Sequence, residues 1–329
     1  MKDSFNREIN YLRISVTDRC NFRCQYCLPS EGVALLPREQ ILSYEEILEV
    51  ARAAVEVGIN KFRITGGEPL VRPGVVGFLE RLINLTGVKR VSLTTNGYLL
   101  GEYAEELSRL NLGSINIGLN TLQEARFKQI TGVSNNRLVL KGIKKLVEYG
   151  FERVKINTVL LKNVNEDEIL DFARLTGKYP VSVRFIEFMP CGKWSENMDK
   201  VLMGDEIISV IEKGLGRLNP ESGVPGDGPA RYFKLPDAQG TLGFIMPVTN
   251  PFCNRCNRLR LTSDGLIKSC LLSTERVNIK PWVSDPSVNS GAEPAEAHQK
   301  LVEMLKNIIT KKPYAHEGCR DIQMSKIGG

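Results

Sequence analysis

The sequence predicts an α/β architecture: a partial (β/α)6 barrel of TIM type over residues 1–218, then a smaller C-terminal region over residues 219–329. Three observations predict it. Short β-branched runs alternate six times with helical stretches, the pattern of a parallel sheet with crossover helices. The alternation stops after Gly214, at the Gly/Pro-rich stretch 219–229 (NPESGVPGDGP), which reads as a boundary. Six repeats fall short of the eight that close a full barrel.

The expected strands are YLRISVT (11–17), KFRITG (61–66), RVSLTTN (90–96), INIGLN (115–120), VKINTVL (154–160) and VSVRFIEF (181–188). The first helix opens at Ser43-Tyr44-Glu45-Glu46, a capping-box pattern. It continues through Ile47, Leu48, Ala51, Ala54 and Val55 and stops at Gly58. A later helix starts near Asn165 and ends near Gly177. Past the boundary, RYFKL, TLGFIMPV, RLRLT and LIKSC read as hairpin strands, and a helix is expected over 294–310.

Composition narrows the function. The 329 residues are 42% hydrophobic and 25% charged, as in a globular chain. The N-terminus has no apolar core of a signal peptide and no run of eighteen apolar residues occurs, so a cytoplasmic chain with no membrane partner is expected. Aromatics are only 7% and scattered, which argues against a nucleic-acid-binding stripe. The net charge of +6 suits a pocket for a polyanion such as a nucleoside triphosphate.

Six of the eight cysteines fall into two triplets: Cys20, Cys24 and Cys27, spaced C-x3-C-x2-C, and Cys253, Cys256 and Cys270. Such spacing suits reduced, metal-binding thiolates rather than disulfides. Cys191 and Cys319 read as structural. A zinc site asks for a fourth ligand, and the only histidines, His298 and His316, lack ligand spacing. An iron–sulfur cubane held by three thiolates leaves one iron open. For the second triplet, half of a zinc ribbon stays open as the alternative.

The first triplet, with Tyr26 before its last cysteine, resembles the signature of the radical S-adenosylmethionine (SAM) enzymes, and Gly66-Gly67-Glu68-Pro69 resembles their second motif. In that superfamily the open iron binds the methionine moiety of SAM and an electron from the cluster yields a 5′-deoxyadenosyl radical. Glycines there would let the backbone approach the methionine amino group. The stretches TDRCNFRCQYC, RITGGEPL, TTNG, VKINTVL, FIEFMP, GFIMPV, FCNRCNRLRLTSDG and KKPYAHE, with the terminal Gly-Gly, resemble the GTP 3′,8-cyclase family of molybdenum cofactor biosynthesis, from about residue 11 to the end.

That resemblance implies two [4Fe–4S] clusters, one on each triplet, with the guanine at the second. It implies SAM contacts at Tyr26, Gly67 and Met189. GTP contacts are implied at Arg13, Arg63, Thr94, Lys155, Arg258, Leu259 and Arg260. Catalytic roles are implied for Arg258, Arg260 and the tail glycines Gly328 and Gly329, which would enter the barrel. The radical would take the C3′ hydrogen of GTP, and C3′ would then join C8 of the guanine. Partners implied are an electron donor, the cyclic pyranopterin monophosphate synthase downstream and, as an option, a second copy of the chain.

Strand parity agrees with part of this. Lys155 and Asn157 share one strand face, as do Arg13 and Ser15, and Arg258 and Arg260. A buried Arg or Lys is costly unless it meets an anion, and Arg184 could also point inward. One departure stands out: Gly118-Leu119-Asn120 replaces the family's Ser-x-Asp, so the serine contact to SAM is not carried over. The rival readings are a peptide-modifying radical SAM maturase, which has a cysteine-richer C-terminal region, and a non-catalytic metal-binding module.

Overall fold

The structure, a computed structural model, describes residues 1–25, 27, 34–190, 194, 196–226, 228–284 and 293–315. Tyr26, Cys191, His316, Cys319, Gly328 and Gly329 lie outside the described residues. In chain order the strands are β1 (Tyr11–Ser15), β2 (Lys61–Thr65), β3 (Arg90–Thr95), β4 (Ile115–Gly118), β5 (Val154–Leu160), β6 (Ser182–Glu187), β7 (Asn219–Pro220), β8 (Arg231–Lys234), β9 (Thr241–Ile245), β10 (Arg258–Leu261), β11 (Leu266–Lys268) and β12 (Val277–Asn278). The α-helices are α1 (Tyr44–Glu56), α2 (Val75–Ile83), α3 (Leu100–Arg109), α4 (Glu124–Thr131), α5 (Arg137–Glu148), α6 (Ile169–Lys178), α7 (Gly204–Leu215) and α8 (Pro294–Thr310). All six expected strands of the first region form, as do the hairpin strands and the late helix.

The chain divides into two compact units, one of Met1–Asn21, Tyr26–Leu93 and Cys253–Gly329, the other of Phe22–Gln25 and Thr94–Phe252. In the first, β1 pairs parallel with β2, and β2 with β3. The late strand β10 joins the other edge of β1, also parallel, and carries β11 and β12 antiparallel beyond it. In the second, β4, β5 and β6 are parallel, β9 adds to β6 in parallel, and β8 and β7 follow antiparallel. The described pairs among the six alternating strands are parallel, as the alternation predicts, and the antiparallel pairs are confined to strands after residue 218. Antiparallel neighbours can be joined by a tight turn, and Thr262–Gly265 makes one. Gly265 has φ +84° and the Thr262 hydroxyl accepts from Leu266 N at 2.8 Å.

Each unit has its own apolar centre, with Phe62 and Phe78 fully buried in the first and Phe127, Phe172, Phe185 and Phe244 in the second. The expected capping box on α1 is present: Glu46 N donates to Ser43 Oγ at 3.1 Å and Ser43 N to Glu46 Oε2 at 2.5 Å. The buried face of α1 is Ile47, Leu48, Val50, Ala51, Ala53 and Ala54. The helix stops where Gly58 takes φ +91°, a backbone state that suits glycine.

α8 lies against α1 through His298, whose Nδ1 meets Glu49 Oε1 at 2.8 Å and Nε2 meets Glu56 Oε1 at 2.7 Å. Burial alone would lower the imidazole, but the two carboxylates outweigh it and raise its pKa above 6.5. Since the folded value exceeds the unfolded one, this bridge stabilises fully below about pH 6.5 and is lost as pH rises through the folded value. His298→Gln is expected to cost about 0.5–1 kcal/mol at pH 6, allowing for the exposure of Glu56. In pH-dependent thermal denaturation, the parent's loss of stability between pH 6 and 8 should vanish in the variant. An unchanged pH slope would show that the bridge does not form in solution.

Candidate active site

In the first unit, four strands bring basic residues into one row. Parallel register sets Arg13 opposite Arg63 on β2 and opposite Arg260 on β10, and antiparallel register sets Arg260 opposite Lys268 on β11. Register partners share a sheet face, so four cations sit on adjacent strands about 4.8 Å apart. The row contains no acidic residue and ends on Ser92, the β3 partner of Arg63. A second row on the same face holds Arg258 opposite Tyr11. The Tyr11 hydroxyl accepts from Arg63 Nε.

Like charges directly opposed destabilise a sheet, and burial beside like charges lowers the pKa of three of these groups. Burial, then Arg260, and further Arg63 and Arg258, push Arg13 well below the usual arginine range. Burial and then Arg258 lower Arg260 to about 10. Lys268 is lowered by burial, Arg276 and Arg260. Burial would raise the Tyr11 phenol, yet Arg63, Arg13 and Arg258 together lower it. An anion with several oxygens is the group that relieves such a field, and guanidinium forks match phosphate geometry. Leu259, between the two arginines of β10, is fully buried and points to the other face by parity, so it can meet a ligand only through its main chain.

The second cysteine set lies in the same unit. Cys253, Cys256 and Cys270 are half-buried thiols. Burial alone would raise Cys256, but Lys312 and Arg258 outweigh it and hold the thiol below its ordinary range. A set of thiolates therefore fits here, because the surrounding cations offset its negative charge. Among the described residues no group of three or more His, Cys, Asp or Glu side chains converges on a single metal ion.

The first set, Cys20, Cys24 and Cys27, is also made of half-buried thiols. The Gly66–Pro69 loop is laced to the strand end that precedes it: Gly67 N donates to Thr17 O at 2.6 Å and Glu68 N to Arg19 O at 2.8 Å. A Cβ on Gly67 would overlap the Arg19 carbonyl oxygen and lie 2.6 Å from its carbon. The nearest neighbour of this glycine is thus the backbone beside Cys20, a reason for glycine that sequence reading assigned to the ligand. Glu68 is buried and accepts from Leu70 N at 3.0 Å, which holds the turn.

The second unit places Lys155 and Arg184 among neighbouring strands. The Lys155 ammonium is buried, donates to Pro225 O and lies 5.7 Å from the Tyr232 ring centroid. The Gly/Pro-rich stretch expected to be a boundary thus caps a basic side chain. Arg184 is buried, donates from Nε to Asn157 Oδ1 at 2.8 Å, and has room because its β9 partner is Gly243. Thr94 and Met189 are half-buried, on β3 and just after β6. Asn120 Oδ1 accepts from Val159 N at 2.9 Å, so the amide that replaces an aspartate ties β4 to β5.

A family model described as the Radical SAM superfamily matches residues 14–176, and one described as Molybdenum Cofactor Synthesis C matches residues 181–318. The GTP 3′,8-cyclase of Thermodesulfovibrio yellowstonii is 44% identical over 331 residues, covering 100% of both chains. The chain belongs to the GTP 3′,8-cyclase family. A cyclase of this family from Geobacter sulfurreducens is likewise 44% identical, over 99% of each chain. Among solved structures, Streptococcus suis SuiB bound to S-adenosylmethionine has a TM-score of 0.60 at 15% identity, covering 96% of this chain and 76% of that one. At that identity the likeness shows an α/β radical SAM fold alone. Family membership separates the chain from the peptide-modifying rival. No helix among the described residues is long and apolar enough to cross a membrane.

Two buried cations escaped the reading of the sequence. Arg7 and Lys312 lie far apart in the chain, and neither sits in a periodic pattern. Lys312 does fall in KKPYAHE, one of the family-like stretches, where no role was assigned.

The gap at Gly118 can be tested directly. A Cβ there meets only Thr95 O, at 3.9 Å, and the residue needs no left-handed backbone. Gly118→Ser should leave stability within about 0.5 kcal/mol and tighten SAM binding about fivefold, the worth of one hydrogen bond. Isothermal titration measures it, and an affinity within twofold of the parent would deny the serine a contact.

Proposed function

We propose that this chain converts GTP, with SAM as the radical source, into 3′,8-cyclo-7,8-dihydroguanosine 5′-triphosphate, the first step of molybdenum cofactor biosynthesis and a lyase-class reaction. The observation that carries the reading is the register row Lys268–Arg260–Arg13–Arg63, four like charges on adjacent strands that suit a polyphosphate. Cys20, Cys24 and Cys27 would hold the SAM-cleaving [4Fe–4S] cluster, and Cys253, Cys256 and Cys270 a second. The clusters and SAM, when bound, supply the electron and the radical. The protein's own part is to hold the triphosphate with Arg13, Arg63 and Arg260 and to orient the guanosine with Arg258. Met189, Tyr26 and Gly67 are proposed at SAM, and Thr94, Lys155 and the Leu259 main chain at GTP, by family similarity. The tail ending in Gly328-Gly329 is proposed to order the site.

The partial-barrel reading of β1–β6 is supported by the parallel pairing of β1 with β2 and β3, and of β4 with β5 and β6. Residue 218 is proposed as the functional divide between the SAM-cleaving part and the part bearing the second cysteine set. An electron donor, the downstream synthase, a second copy of the chain and a cytoplasmic location complete the proposal.

The test is anaerobic incubation of the reconstituted protein with GTP, SAM and dithionite. Expected products are 5′-deoxyadenosine and a cyclic GTP derivative. Deoxyadenosine formed equally well without GTP would overturn the substrate assignment.

A further inference from the structure

The carbonyl groups next to the second cysteine set are held by two buried cations, and both cations lead to residues 312–314. Arg7 uses all five of its N–H donors. Nε pairs with Asp3 Oδ2 at 2.6 Å, and one terminal nitrogen donates to Cys253 O at 2.7 Å and Tyr314 O at 2.8 Å. The other donates to Pro313 O at 2.7 Å and Lys312 O at 3.5 Å. Asp3 is itself fixed, since Oδ1 accepts from Arg7 N at 2.8 Å and Phe5 N at 3.0 Å.

Lys312, 2% exposed, donates from Nζ to Arg258 O at 3.0 Å and to Ser269 O. Arg258 stands two residues after Cys256, and Ser269 one residue before Cys270. Every cysteine of the set is thus within two residues of a carbonyl bound by Arg7 or Lys312. An ammonium has three donors, and carbonyls take two of them here.

We propose that Lys312, locked in place by Arg7, is a positioning residue that gives its remaining N–H to a thiolate of the Cys253, Cys256 and Cys270 set and ties that set to the segment from which the C-terminal tail departs. The inference rests on the reading of this set as a cluster site. Hydrogen bonds to cluster sulfurs and nearby positive charge make a cluster easier to reduce. Arg7 supplies rigidity, and its charge is already balanced by Asp3.

The test uses the full chain with Cys20, Cys24 and Cys27 replaced by alanine, reconstituted anaerobically, so that iron reports the second set alone. This parent should bind about four irons; none bound would overturn the cluster reading and this inference with it. Given a loaded parent, Lys312→Met should lower the cluster's midpoint potential and speed iron loss to a chelator about tenfold. Lys312→Arg should restore most of both. Hydrogen exchange on the cluster-free chain gives a second readout: Arg7→Gln should unprotect residues 312–314 and 253–256 together. A Lys312→Met chain with the parent's potential and iron retention would overturn the positioning role while leaving the cluster reading intact. Failure of that variant to fold would shift the decision to Arg7→Lys, where parental protection of both segments would overturn the tether.

Discussion

Arg260→Gln is expected to stabilise the ligand-free chain while lowering kcat/KM for GTP by about 100- to 1000-fold. Both effects have one origin. Arg260 is buried and stands in register with Arg13 and Lys268, and burial with Arg258 lowers its pKa to about 10. The charged form is therefore strained in the folded state, by about 3 kcal/mol on the usual conversion of pKa shifts. A neutral amide removes the strain and loses some packing, which leaves a net gain of about 1 kcal/mol, or about 2–4 °C in Tm. In the proposed complex the same charge would meet phosphate through charge-assisted hydrogen bonds of about 1.5–3 kcal/mol each, and their loss would account for the fall in turnover. GTP should raise the Tm of the parent and leave that of the variant almost unmoved. A lowered Tm together with parental GTP kinetics would place the row outside the substrate site.

The second large effect is expected from Gly67→Ala. The added Cβ would meet backbone on two residues, overlapping Arg19 O and lying 2.6 Å from Arg19 C and 2.9 Å from Asp18 O. Backbone cannot rotate aside as a side chain can. The hydrogen bonds from Gly67 N to Thr17 O and Glu68 N to Arg19 O would have to open. Cys20 follows directly, so its thiol would shift with them. Loss of about 2–4 kcal/mol in stability and of more than about 100-fold in SAM cleavage should appear together. Gly66→Ala is the control: its nearest neighbour, Thr17 O, stands at 3.0 Å, and the effect should be milder. A Gly67→Ala chain that retains iron and cleaves SAM within twofold of the parent would show that the loop can move.

Much of the local structure is readable without coordinates. The capping box at Ser43 and Glu46, the stop at Gly58 and the helix at 294–310 follow from short-range chemistry, because a cap or an amphipathic stripe involves residues within a turn or two. The cysteine spacings, the Gly-Gly turn and the parity of Arg258 with Arg260 are equally local. Asn219–Pro229 shows the limit. Its composition marks a loop, but nothing in it predicts that Pro225 would cap Lys155.

The sequence by itself determined ten of the strands, the helices that open at Ser43, near Asn165 and near Pro294, the two thiol sets and the family to which the chain belongs. Only the tertiary structure decided that β10 would lie beside β1, bringing Arg260 level with Arg13 across 247 positions. It alone brought Lys312 to the carbonyls of Arg258 and Ser269. The physical reason is that strand pairing and buried hydrogen bonding depend on which distant segments dock together, and that choice is made by burial of apolar surface over the whole unit. A side chain's type and face are written locally, whereas the charge it must live beside is set by the fold.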